Sequence, residues 1–186
     1  MVYVFTIFLS AFLLFMVQPL MGKLILPWFG GTPAVWTTCM LFFQLTLLAG
    51  YIYAHLLSAR LKPRMQAWLH VVLLAIAITL MLVAFAKWGS PLLPDDRWRP
   101  EADVEPVRHN LFLLLASVGL PYLLLSSTSP LLQRWFSLLG HGDKTYRLYA
   151  VSNVGSLLGL VAYPFLTERF LSLPTQAAVW AIAFTV

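Results

Sequence analysis

The sequence predicts an all-α protein, a polytopic bundle of transmembrane helices with about five complete spans and a truncated sixth. Three observations carry that expectation. Of 186 residues, 60% are hydrophobic and only 10% are charged, against about 25% charged in a soluble domain. The apolar residues fall in runs of about the 20 that a spanning helix needs. Nearly all the charge lies between those runs.

The first run, Val2–Leu20, has only Thr6, Ser10 and Gln18 as polar residues. It lacks a basic leader and a small-residue cleavage site, so it reads as a retained helix and not a signal peptide. Gln18 to Trp36 follows, with Pro19, Pro27, Pro33, Gly22, Gly30 and Gly31. Proline removes a backbone donor and glycine permits strained turns, so a helix broken at Pro19 is expected here. The second run is Ala34–Leu57, and the third is Met65–Ala86. The fourth, Asn110–Ser129, ends in Ser126-Ser127-Thr128-Ser129-Pro130, where a second proline break is expected. The fifth is Leu148–Leu166. The sixth starts near Pro174 and is still apolar at Val186. Thirteen residues are too few to cross, so residues 1–186 read as a single transmembrane domain and as the front part of a longer protein.

The net charge of +5 points to topology and anionic lipid headgroups, and no basic run suggests nucleic acid. Arg60, Lys62, Arg64, Arg134, Lys144 and Arg147 occupy two short loops. The opposite side holds as many cations, but most are spread over the long Lys87–His109 loop. Dense short basic loops face the cytoplasm, which predicts a cytoplasmic N-terminus with Asp95–Glu105 outside. The long loop reads as a connector, with a lid over a cavity as the alternative. Trp28, Trp36, Trp135 and Trp180 fit interfacial belts. His55 and His70 read as interfacial histidines without metal-ligand company. The single Cys39 allows no internal disulfide.

A shift of 111 residues lays Pro19-Leu20-Met21-Gly22-Lys23 over Pro130-Leu131-Leu132-Gln133-Arg134. It also lays Phe29-Gly30-Gly31 over Gly140-His141-Gly142. Helices one and four run in opposite directions, so a repeat of this kind is an inverted three-helix repeat, with Gln18 and Ser129 facing a shared interior. The alternative is a pair of ordinary helix ends. In the fifth run, Ser152, Gly155 and Gly159 form a small-residue groove suited to close helix packing. Tyr149, Asn153 and Ser156 form the neighbouring polar stripe, which either lines a cavity or joins helices by hydrogen bonds. Lys23 either snorkels to headgroups or faces a substrate. None of the six apolar runs contains Asp or Glu, which counts against a carboxylate proton relay. No catalytic, cofactor-binding or metal-binding pattern stands out.

Three blocks form a distinctive set. They are Gln18-Pro19-Leu20-x-x-Lys23, then Leu26-Pro27-Trp28-Phe29-Gly30-Gly31-x-Pro33-Ala34-Val35-Trp36-Thr37-Thr38, and finally Tyr149-Ala150-Val151-Ser152-Asn153-x-Gly155-Ser156-Leu157 with Tyr163-Pro164. Over roughly Phe8 to Pro174 the chain resembles the membrane half of bacterial proteins in which a transporter-like helical domain precedes a spermidine-synthase-like domain. The resemblance implies a multi-pass module of the inner membrane that anchors or feeds a cytosolic aminopropyltransferase-like domain acting on polyamines. The glycine-rich donor loop and acidic polyamine residues of that domain have no counterpart here, so no catalytic residue carries over. The alternative is half of a small-solute carrier, working with a second membrane half or as a dimer.

Overall fold

The computed structural model describes residues 1–92, 98–99 and 105–186. Among them there is no strand. The elements are α1 (Val2–Phe29), α2 (Pro33–Arg60), α3 (Pro63–Trp88), α4 (Val107–Gly140), α5 (Gly142–Phe170) and α6 (Leu173–Phe184). The first five are long and apolar enough to cross a membrane. At 1.5 Å per residue, 28 residues in α1 reach about 42 Å, beyond the roughly 30 Å of hydrocarbon. The chain is thus a multi-pass helical membrane module. Of the segment Asp95–Glu105 expected outside, only Trp98, Arg99 and Glu105 are among the described residues.

The prolines do not break the helices. α1 runs unbroken through Pro19 and Pro27, and α4 continues past Pro130. A proline leaves one carbonyl without its donor, but around Pro19 Val17, Leu20, Met21 and Gly22 are all buried. That packing outweighs the local penalty. Elsewhere the ladder itself yields: π-helical turns at Leu115–Gly119 and Tyr163–Thr167 lie beside or around Pro121 and Pro164. Such turns shift the hydrogen-bond register so the helix survives the missing donor. α5 therefore extends past Pro164, and Glu168 belongs to a helix, contrary to an acid-free set of spans.

Helix directions follow from the contacts. α1 and α4 are antiparallel, since Tyr3 meets Phe136 and Gln18 meets Tyr122. α1 runs parallel to α5, with Phe8 against Gly155 and Phe12 against Gly159. α2 runs parallel to α4, with Cys39 against Asn110 and Gly50 against Leu123. Exchanging α1–α3 with α4–α6 maps the second pairing onto the first.

The turns repeat as well. Leu61 closes α2 and Leu171 closes α5, each with its N–H on a carbonyl (Leu57, Thr167) at 3.0 Å. Five residues later come Gln66 and Gln176, both 2% exposed. Each donates its side-chain amide back to that leucine's carbonyl at 2.8 Å. The other two turns pivot on Gly30 (φ 80°) and Gly140 (φ 84°), a left-handed region that favours glycine. Opposed helix directions, exchangeable pairings and matching turns are the relations of an inverted three-helix repeat. The turn residues correspond at a spacing of 110, one less than the sequence alignment suggests.

The core lies where α1, α2 and α4 meet, around Val17, Leu20, Met21, Phe43, Tyr122 and Leu124. Trp180, expected at an interface, is 1% exposed and donates its indole N–H to the Leu13 carbonyl at 2.9 Å. Asn110, fully buried, clasps α2 through the Val35 carbonyl at 3.5 Å and the Cys39 sulfur at 3.3 Å.

Candidate functional site

The polar residues singled out in the sequence fall into four places. Gln18 donates to the Tyr122 hydroxyl at 2.9 Å across the α1–α4 contact. Ser129 donates to Ser152 at 3.3 Å and accepts from Gln133 at 3.0 Å. Ser156 returns its proton to the Ser152 carbonyl at 3.0 Å. Ser129, Ser152 and Ser156 are thus tied together between α4 and α5, while Gln18 bonds elsewhere. Lys23 meets Glu168 at 3.2 Å, with both side chains close to half exposed. Tyr149 and Asn153 are exposed.

Gly155 and Gly159 are where α1 lies closest. A Cβ on Gly155 would stand 2.6 Å from the Phe8 carbonyl oxygen, and one on Gly159 2.5 Å from that of Phe12. Only glycine lets the two backbones approach so closely.

None of these residues lines the half-open cavity of about 280 Å³ between α1, α3, α4 and α6. Its polar lining comes from Thr6 and Ser10 on α1, His70 on α3, Thr128 and Trp135 on α4, and Thr185. His70, expected at the interface, is only 7% exposed. Its Nε2 lies 3.3 Å from the Thr128 hydroxyl, which donates to the Leu124 carbonyl at 2.7 Å. Since that hydroxyl has one proton, Nε2 carries the hydrogen between them and Nδ1 keeps a lone pair. Nδ1 is buried without a partner, as is the hydroxyl of Tyr53, whose ring stacks on His70 at 6.1 Å. Trp135 donates to Gln66 Oε1 at 2.7 Å, linking this cavity to the repeated glutamine. The sequence carried one sign of it, the polar run Ser126–Ser129 inside an apolar helix. The partnership with His70, 58 residues away, is a matter of tertiary packing.

Among the described residues no cluster of His, Cys, Asp or Glu could hold a metal ion. The chain matches no protein-family model, no curated protein and no solved structure.

Proposed function

We propose that this chain is a non-catalytic membrane module of transporter-like build. It resembles the membrane half of spermidine-synthase-like proteins and anchors or feeds an aminopropyltransferase-like domain at the bacterial inner membrane, with a cytoplasmic N-terminus. The observation that carries the transporter-like build is the repeated turn, with Gln66 on the Leu61 carbonyl and Gln176 on that of Leu171. Three-plus-three inverted arrangements are a build of membrane transporters. The link to a synthase rests on the three sequence blocks. In the fold, residues of two of them, Gln18, Lys23, Gly155 and Tyr163, gather along α1 and α5.

The test is to purify the product of the native gene from membranes, with its reading frame and immediate neighbours intact. The expected result is a glycine-rich synthase region in the same polypeptide or in a co-purifying one, with aminopropyl transfer to a polyamine acceptor. Six further apolar spans without any transferase region would overturn this reading in favour of half of a small-solute carrier. One observation favours that second reading. Gln44 on α2 and Asn153 on α5 are exposed near mid-span on the two helices that exchange under the repeat. Exposed amides at membrane depth are costly in lipid, and a second membrane half would cover them.

A further inference from the structure

We propose that the pocket between α3 and the π-helical turn of α4 binds a neutral, membrane-soluble alcohol through its hydroxyl group. This goes beyond the anchoring role and stands without it.

The pocket holds about 230 Å³ and is lined by Ala77, Ala84 and Trp88 on α3 and by Ala116, Ser117 and Pro121 on α4, among others. No residue beyond Pro121 takes part, so α6 is not one of its walls. Its polar side begins with the backbone. Ala116 and Ser117 lie in the π-helical turn Leu115–Gly119, a feature that recurs at functional sites. Pro121 has no N–H to give to the carbonyl four residues back, so Ser117 loses its α-helical donor. The Ser117 side chain is open as well. Elsewhere in these helices a hydroxyl returns its proton to a carbonyl three or four residues back, as in Ser10, Thr38, Thr46, Thr128 and Ser156. Ser117 makes no hydrogen bond with any described residue, and neither does the indole N–H of Trp88. The pocket thus combines two open donors, Ser117 O–H and Trp88 N–H, with the Ser117 carbonyl as acceptor. An alcohol answers both kinds, giving its proton to the carbonyl and its lone pairs to a donor. Polar groups left unpaired away from water carry a desolvation penalty that such a ligand relieves.

Charge and shape narrow the class further. Among the described residues no charged side chain lines the pocket, so an ion would enter without a counter-ion. The remaining lining is alanine, leucine, methionine and proline, which suits a hydrocarbon or aromatic body. Leu80 and Leu115 belong to that lining and are both exposed, so the mouth opens toward lipid. At about 230 Å³ the space lies below the roughly 300–1,000 Å³ of small-molecule sites. The ligand is therefore a compact alcohol, or the hydroxyl end of a longer one, that arrives from the membrane.

The full chain in detergent would be titrated with 4-fluorobenzyl alcohol and with 4-fluoroethylbenzene, which keeps the shape and lacks the hydroxyl. Each is dosed as a mole fraction of the micelle, and fluorine NMR reads the bound fraction. The expected result is saturable binding of the alcohol, about tenfold tighter than the hydrocarbon. That preference should shrink in Ser117→Ala and in Trp88→Phe, each of which deletes a donor. Ala84→Leu, which fills the pocket, should abolish binding of both compounds. Equal affinity for alcohol and hydrocarbon would overturn the proposal, as would the absence of saturable alcohol binding. Full binding in Ala84→Leu would overturn the location, and an unchanged preference in both donor variants would overturn the recognition. The alcohol–hydrocarbon comparison needs no variant, so it decides the matter even if a substituted chain fails to fold.

Discussion

Adding one methyl group at Gly159 should destabilise the protein, and adding the same group at Gly22 should stabilise it. Both glycines lie inside long helices, where replacing glycine by alanine relieves about 0.5–1 kcal/mol of conformational cost. At Gly159 the new Cβ would stand 2.5 Å from the Phe12 oxygen, 3.2 Å from its carbonyl carbon and 3.3 Å from its Cα. All three are backbone atoms of α1, so no side chain can swing aside. Ordinary contact is about 3.5 Å, so α1 must retreat by roughly 1 Å from its principal partner. Overpacking of that kind costs about 1–3 kcal/mol; with only backbone atoms to give way the upper part of that range applies, which outweighs the helix-propensity gain and leaves a net loss of up to about 2.5 kcal/mol. At Gly22 the nearest atom is Cζ3 of Trp36 at 3.5 Å, a normal contact. Nothing there offsets the gain. Unfolding followed by tryptophan fluorescence in detergent measures both, at about 2–4 °C per kcal/mol for a chain of this size. Gly155→Ala, facing the Phe8 oxygen at 2.6 Å, should fall with Gly159→Ala. A Gly159→Ala protein that melts at or above the parent, with Gly22→Ala no higher, would refute the reasoning.

Gln66→Leu and Gln176→Leu each remove the same turn bond, but only Gln66 also accepts from Trp135. Gln66→Leu should therefore cost about 1 kcal/mol more in the same unfolding assay, because it strands the indole N–H. The Lys23–Glu168 pair is largely solvated, so Lys23→Met should lower stability by less than about 1 kcal/mol. A loss well above that, measured in detergent at two salt concentrations, would show that the pair is buried in the working protein. Reporter fusions after Arg64 and after Asp103 should read opposite sides of the membrane, with Arg64 cytoplasmic. An external reading at Arg64 would reverse the orientation.

The helical class was legible because it depends on composition and run length, which tertiary contacts do not alter. The small-residue face of α5 was legible for a similar reason: a four-residue spacing such as Gly155 and Gly159 fixes a face before any partner is known. Helix ends were less legible. Local rules place breaks at Pro19 and Pro130, yet α1 and α4 run through theirs on the strength of packing, and α5 passes Pro164 by a π-helical turn. The missed ion pair follows directly, since stopping α5 at Leu166 leaves Glu168 in a loop with nothing to meet.

By itself the sequence determined that this chain is a bundle of membrane-length helices, because burying so many apolar residues in so few polar ones leaves no soluble alternative. It also held the repeat in outline, through proline, glycine and basic residues at matching places. Tertiary structure alone decided which helices are neighbours, and with that the register of the repeat and the position of the cavity. The reason is that a side chain such as His70 carries no local sign of its surroundings. Its burial, and its contact with the Thr128 hydroxyl, exist only once α4 has been packed against α3.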